Sequence, residues 1–288
     1  MENPYLAHLN ARETKPRPRF IAKTDVKKEP SQGHPVPQPD LSFGNYPTYY
    51  GYRHSSTDKI DSRLLMLKRE WFEGSRVLDI GCNAGLVSIE IAQHFNPISV
   101  EGVDIDPSLI RKARQNLRLK ASRCSAQNPG DTEYFPESCL DAFGITPIVH
   151  PETPSSAFPH NVTFRAGNWM HEPNPSTDEG RYHVILALSV SKWIHLNEGD
   201  DGIKKFFRRV FNSLLPGGLF ILEPQPIESY PKKTSTKLMR HNFESMELRP
   251  ETFPEYLLGE IKFSDIESLG TSRNERKGFE RPIYVFYK

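Results

Sequence analysis

Residues 77–85 constrain this chain more than any other stretch. Val77-Leu78-Asp79-Ile80 is an apolar run with strand character, and it ends in a glycine turn, Gly81-Cys82-Asn83-Ala84-Gly85. A helical pattern follows at once (Leu86, Ile89, Ile91, Ala92, Phe95). A second strand-like run, Ile98 to Val103, then stops at Asp104. Strand, glycine turn, helix, strand and acid, in that order, predict a doubly wound α/β sheet with a nucleoside-like ligand at the carboxyl ends of its strands. Glycines let the backbone approach such a ligand, and the acid can accept hydrogen bonds from both ribose hydroxyls. An ordinary α/β turn with no ligand is the plainer reading of the same spacing.

The dinucleotide fingerprint G-x-G-x-x-G is not met, because Asn83 stands between Gly81 and Gly85. Asp79, two residues before Gly81, instead resembles the D-x-G-x-x-x-G pattern of S-adenosylmethionine-dependent methyltransferases. That cofactor has no phosphate to cradle; it needs room for its amino-acid end and an acid for its ribose. Asn at position 83 suits such a turn, since Asn adopts left-handed dihedrals more readily than most residues.

Composition sets looser bounds. The 288 residues suit one domain with extensions or two small ones, and 25 prolines point to unstructured parts. A formal net charge of +1 excludes a bulk polycation, so any nucleic-acid contact must come from a local patch. Cys82, Cys124 and Cys139 form neither a paired framework nor a metal spacing; no metal is expected, and the pattern suits a reducing compartment. No apolar stretch reaches about 18 residues, so no membrane span is expected.

Residues 1–40 hold seven prolines, and Ala11–Lys28 carries seven Lys or Arg against two acids, which predicts a flexible basic tail. Residues 41–288 are expected to form one domain. A helix is predicted from Pro107 or Ser108 to about Lys120. Residues 121–160, with six prolines and no periodicity, read as a flexible insertion. Strands are predicted at Val162–Ala166, His183–Ser189, Leu219–Leu222, Phe263–Leu269 and Pro282–Tyr287. Gly202–Leu215 reads as an amphipathic helix stopped by Pro216-Gly217-Gly218, with Lys204, Lys205, Arg208 and Arg209 on its outer face. The alternation predicts a mostly parallel sheet with one antiparallel strand.

Further stretches carry a more specific resemblance: Phe43-Gly44-Asn45-Tyr46, Tyr49-Tyr50-Gly51-Tyr52-Arg53, Asp61-Ser62-Arg63-Leu64, Glu70-Trp71-Phe72, Leu188 to Asn197 (LSVSKWIHLN), Leu222-Glu223-Pro224-Gln225-Pro226, and Lys277 to Pro282 (KGFERP). Together they resemble the bicoid-interacting-protein family of RNA methyltransferases over residues 41–288, the insertion apart. The resemblance implies a Rossmann-like class I methyltransferase fold and S-adenosylmethionine as cofactor. One branch of the family methylates the γ-phosphate of a 5′-triphosphate RNA end, the other a 5′-monophosphate. The Tyr-Tyr-Gly-Tyr-Arg run and the insertion resemble the first, capping branch. The implied partner is a small structured non-coding RNA, with a La-related or other ribonucleoprotein protein beside it, in the nucleus, with the cytoplasm left open as well; neither DNA nor membrane is implied.

Position by position, the resemblance implies that Tyr50 and Arg63 line the methionine end. Gly81, Cys82 and Asn83, with Gly85, would form the turn under the cofactor. Asp104 would hold the ribose, Ile105 would touch the adenine, Asn168 and Trp169 would bracket it, and Leu188 would sit beneath. Trp169 stands where capping enzymes tend to have Tyr, and Glu198 where relatives often carry Trp.

The chemistry needs no general base. A terminal phosphate, with a second pKa of about 6, is already anionic near neutral pH, and catalysis is then positioning and water exclusion. Arg53, Lys192 and His195 are the candidate phosphate-holding cations; pairing with acids such as Glu198 or Asp200 is the plainer reading of their charge. Tyr49 is a candidate stacking platform for the first base, and Lys232 and Lys233, with Lys237 and Arg240, are candidates to grip the RNA body. Two functional classes remain open at this stage: an RNA 5′-phosphate methyltransferase, and an RNA 5′-end-binding assembly factor with little turnover.

Overall fold

The computed structural model describes residues 42–46, 61–124, 157–172, 180–271 and 280–288. The predicted basic tail and residues 125–156 of the predicted insertion lie outside these. Seven strands form one sheet: β1 (Arg76–Ile80), β2 (Ser99–Asp104), β3 (Val162–Ala166), β4 (Tyr182–Leu188), β5 (Leu214–Glu223), β6 (Asp265–Thr271) and β7 (Pro282–Tyr287). Their order is β3-β2-β1-β4-β5-β7-β6. Neighbours from β3 through β5 are parallel, and β7 runs antiparallel to both β5 and β6, so one strand is reversed as expected.

Strand alternation explains the core. Val77, Val184, Leu186 and Ile221 pack on one face with Ile89 and Ile91 of α1 (Leu86–His94) and Ile110 and Leu117 of α2 (Pro107–Cys124). Leu78, Ile80, Ile185 and Leu222 pack on the other with Phe206, Phe207 and Val210 of α3 (Ser191–Ser213). Both faces of β4 are therefore covered, which its near-continuous apolar run requires.

Several boundaries differ from expectation. β5 begins at Leu214, so Pro216-Gly217-Gly218, read as a helix stop, lies within the strand's span and the helix ends at Ser213. α2 opens at Pro107, where Asp106 Oδ1 accepts from the Ser108 amide at 2.7 Å, but it continues to Cys124, so the first four residues of the predicted insertion are helical. α3 begins at Ser191, not Gly202. It joins two helical stretches across Gly199, whose φ of 68° and ψ of −167° break the helix between them. Trp193 and Leu196 bury their side chains from the first stretch, so residues that carry the family resemblance also form a packed helix. β6 starts at Asp265 rather than Phe263, because Lys262 turns at a positive φ of 75° and Phe263 packs into the core instead of pairing. The outward placement of Arg209 also fails. It is 9% exposed, donates to the Met170 and Glu172 carbonyls at 3.4 and 2.9 Å, and lies over the Trp169 ring.

Candidate active site

The end of β1 and the end of β2 are tied together by backbone bonds. Gly81 and Cys82 both donate to the Val103 carbonyl, at 2.8 and 3.1 Å. The turn then brings the Asn83 amide to Asp104 Oδ2 at 2.8 Å, while the Asp106 amide reaches Asp104 Oδ1 at 3.0 Å. Asp104 is nearly buried, and burial pushes its carboxyl up while those two amides pull it down. An ionised carboxylate offers about four acceptor positions, so one amide on each oxygen leaves capacity for two further donors. A ribose diol fits that remainder.

A cleft opens above this turn, lined by Gly81, Asn83, Asp104, Ile105, Asn168, Trp169 and Leu188. Seven of the predicted cofactor residues thus come together. Asn83 holds a φ of 52°, with Oδ1 accepting from the Ala84 amide at 2.7 Å, as the turn chemistry of Asn allows. The glycines also answer to packing. A Cβ on Gly81 would sit 2.9 Å from Val190 Cγ2, and one on Gly85 would sit 2.6 Å from Phe164 Cζ and 2.8 Å from Ala113 Cβ. Both have positive φ, so dihedral and packing each favour glycine there, and Gly81 also lines the cleft. Gly85 caps α1 and does not line the cleft. Cys82 does not either: its side chain is buried in the core beneath the turn, where burial holds the thiol well above its usual range. Asp79 accepts from Ser88 Oγ, and burial pushes its carboxyl up to about 6.

A short segment, 42–46, lies against the same cleft. Asn197 Nδ2 donates to the Ser42 carbonyl at 3.0 Å, and Asn83 Nδ2 to the Tyr46 carbonyl at 3.2 Å. Gly44 lies directly on the Trp193 ring, and Tyr46 meets that ring edge-on at 5.9 Å.

Arg63 is placed differently from expectation. It does not line the cleft; it is 1% exposed and binds both oxygens of Asp61, at 3.0 and 2.7 Å, and Glu223 Oε2 at 3.0 Å. Glu223, fully buried at the end of β5, also accepts from Ser189 Oγ, and Ser189 Oγ accepts from Arg281 Nη1 at 2.7 Å. Ser189 lines the cleft at a strained φ of 64°. A polar chain therefore runs from Asp61 beneath the cleft to the segment entering β7.

The candidate cations divide. Lys192, at the start of α3, is 5% exposed; its Nζ donates to Ser229 Oγ at 3.3 Å and lies 5.0 Å over Trp193. Burial, then the charges of Arg281 and Lys233, push its pKa down to about 7. Lys233 comes from the turn Pro231–Lys233 and lies 4.8 Å over Tyr46. Lys232 is exposed beside it. Lys192, Lys233 and Arg281 thus form a cationic group contributed by three separate segments. His195 does not join it. Its ring is fully buried against Tyr230 and Phe253, with Nε2 2.8 Å from Asp200 Oδ1, and burial pushes its pKa down. One turn after Lys192, it faces the core, and the plainer pairing with Asp200 is the one observed. Arg53, Tyr49 and Tyr50 lie outside the described residues.

Asn45, Trp193, Asn197 and Arg281 were missed as site residues, although each stands inside a stretch that carries the family resemblance. Nothing in local spacing marks them, because each reaches the site through tertiary packing. Among the described residues, no group of three His, Cys, Asp or Glu side chains is placed to hold a metal.

The family model described as Bicoid-interacting protein 3 matches residues 182–288, and a methyltransferase-domain model matches 77–152. With the sheet order, this establishes a class I methyltransferase fold. The chain is 41% identical, over 90% of its length, to the mouse 7SK snRNA methylphosphate capping enzyme, of which it spans 42%. It is 35% identical to the Drosophila melanogaster U6 snRNA methylphosphate capping enzyme Amus, covering 93% of this chain and 82% of that protein. A bovine RNA 5′-monophosphate methyltransferase is 26% identical, covering 78% and 71%.

Proposed function

The chain belongs to the Bicoid-interacting protein 3 family, and from that premise we propose that it methylates the 5′-terminal γ-phosphate of a small non-coding RNA, using S-adenosylmethionine. The observation that carries this reading is the position of Lys192, Lys233 and Arg281. Arg281 Nη1 holds the cleft-lining Ser189 hydroxyl, Lys192 Nζ lies over the cleft-lining Trp193 ring, and Lys233 Nζ lies over Tyr46, which meets that same ring.

Asp104 would hold the ribose of the cofactor, Ile105, Asn168 and Trp169 would enclose its base, and Leu188 would lie beneath. Bound there, S-adenosylmethionine would supply the methyl group, its bond to sulfur breaking as the bond to phosphate oxygen forms and S-adenosylhomocysteine leaving. The protein's own residues position the acceptor. The terminal phosphate carries its negative charge already, so no side chain removes a proton. Lys192, Lys233 and Arg281 hold the polyphosphate. An anion beside Lys192 favours its charged form and so opposes the burial that depresses its pKa. Trp193 and the segment at 42–46 exclude water from the cleft. On this reading the protein works in the nucleus, on an RNA retained in a ribonucleoprotein.

Transcripts that differ only at the 5′ end, offered with radiolabelled methyl donor, test the proposal. Label on the γ-phosphate of the triphosphate RNA is expected. Label confined to the monophosphate RNA would move the chain to that chemistry. Label on internal bases or riboses would contradict a phosphate acceptor, and tight RNA binding with no label would favour an assembly role.

A further inference from the structure

Among the described residues that line the cleft, two side-chain polar atoms are buried without a hydrogen-bond partner: Trp169 Nε1 and Asn45 Oδ1. Buried polar groups in folded proteins are nearly always paired, so two orphans in one ligand cleft call for a cause. One is a donor and the other an acceptor.

Packing fixes the indole. Trp169 is 3% exposed, meets Phe206 edge-on at 5.9 Å, and carries the Arg209 guanidinium 4.5 Å over its ring. Arg209 is itself anchored on the Met170 and Glu172 carbonyls. The amide of Asn45 is fixed as well. Its Nδ2 donates to Asp106 Oδ2 at 2.7 Å. Turning the amide over would set its oxygen against that carboxylate, so Oδ1 is the end left unpaired. Both residues also belong to the surroundings of Asp104. Asp106 follows it by two residues and donates its amide to it, and Gly167, just ahead of Asn168 and Trp169, donates its amide to the Asp104 carbonyl at 2.9 Å.

An adenine presents a matching pair of groups, an exocyclic amine that donates and ring nitrogens that accept. We propose that Asn45 and Trp169 read the base of the bound cofactor. The Asn45 side-chain oxygen accepts from the exocyclic amine, and the Trp169 indole N–H donates to a ring nitrogen. This rests on the cofactor assignment above. It adds that base identity is checked from two sides, by the segment before β1 and by the loop after β3.

Calorimetry without RNA tests it. S-adenosylhomocysteine is compared with its inosyl analogue, which lacks the amine, and with its 1-deaza, 3-deaza and 7-deaza analogues. The unaltered protein should bind the adenosyl compound at least tenfold more tightly than the inosyl one, and Asn45→Ala should reduce that ratio to about twofold or less. Trp169→Phe should weaken the adenosyl compound at least fivefold. One deaza compound should lose that much on the unaltered protein and lose nothing further on Trp169→Phe. Each comparison sets two ligands on the same protein, so a variant with a lowered Tm still reports. Unchanged ratios in either variant would overturn the pair. If the unaltered protein binds no adenosyl compound, the cofactor assignment fails, and this inference with it.

Discussion

The cofactor cleft and the cationic group beside it are built in opposite ways. The cleft is made by backbone: two amides on Asp104, a turn with Gly81, Asn83 and Gly85 at positive φ, and glycines that packing will not release. The cationic group is made by long side chains from α3, from the turn Pro231–Lys233 and from the segment before β7. On the proposed reading, cofactor and acceptor are therefore held by different means. The first depends on φ angles and close packing; the second depends on a few cations that substitution can move one at a time.

The largest effect that would sharpen the contrast is on turnover. Lys192→Ala should lower methyl transfer about 100-fold, the scale seen when one preorganised charge-stabilising group is removed, with cofactor affinity kept within twofold; near-normal turnover would misplace the phosphate. Gly85→Ala should act on the other region through stability alone. Its Cβ would collide with Phe164 and Ala113 at a positive φ. A cost of about 1–3 kcal/mol is expected, read as a Tm lowered by about 2–10 °C. An unchanged Tm would mean the turn relaxes freely.

Smaller effects follow from titration. Lys192 is pushed from 10.5 down to about 7 in the folded protein. Between those values the unfolded chain holds a proton that the folded one has lost, so this residue makes stability rise with pH across that window. Lys192→Met should remove that slope. Affinity for 5′-triphosphate RNA should fall as pH rises above about 7, because binding must then restore the proton, and Lys192→Arg should flatten the fall. A pH-independent affinity in the unaltered protein would show that Lys192 does not meet the phosphate. The smallest effect is expected at exposed Lys232, where replacement by Ala should weaken RNA binding across sequences and reduce the salt slope by about one unit.

The two regions also differ in how far the sequence reveals them. Asp79, Gly81, Asn83, Gly85 and Asp104 lie in one strand–turn–helix–strand unit, and local spacing was enough to place the cleft at its end. A mostly parallel sheet with one reversed strand was legible from the alternation of elements and the pair of strands at the end, though not that β7 is the reversed one. The packing role of the glycines was not, since Val190, Phe164 and Ala113 are distant in sequence. The cations were legible only in part. Lys192 and His195 stand three residues apart on one helix, yet Lys192 is pressed by the Arg281 and Lys233 charges and His195 turns into the core against Phe253. Helical phase and tertiary packing decide that split, and without a helix assigned before Gly202 neither can be read. Arg281 reaches the site because Glu223 and Ser189 hold it there, through a buried polar chain that no local pattern records.

Measuring two affinities on two variants tests the division of labour most directly. Asp104→Ala and Lys192→Ala would each be titrated with S-adenosylhomocysteine and, separately, with a 5′-triphosphate oligonucleotide beside its 5′-hydroxyl counterpart. A crossed result is expected. Asp104→Ala should lose cofactor affinity worth about 1–3 kcal/mol and keep its preference for the triphosphate end. Lys192→Ala should keep the cofactor and lose that preference. If both variants lose both affinities, or if Lys192→Ala still prefers the triphosphate end, cofactor and terminal phosphate are not held by separate regions as described here.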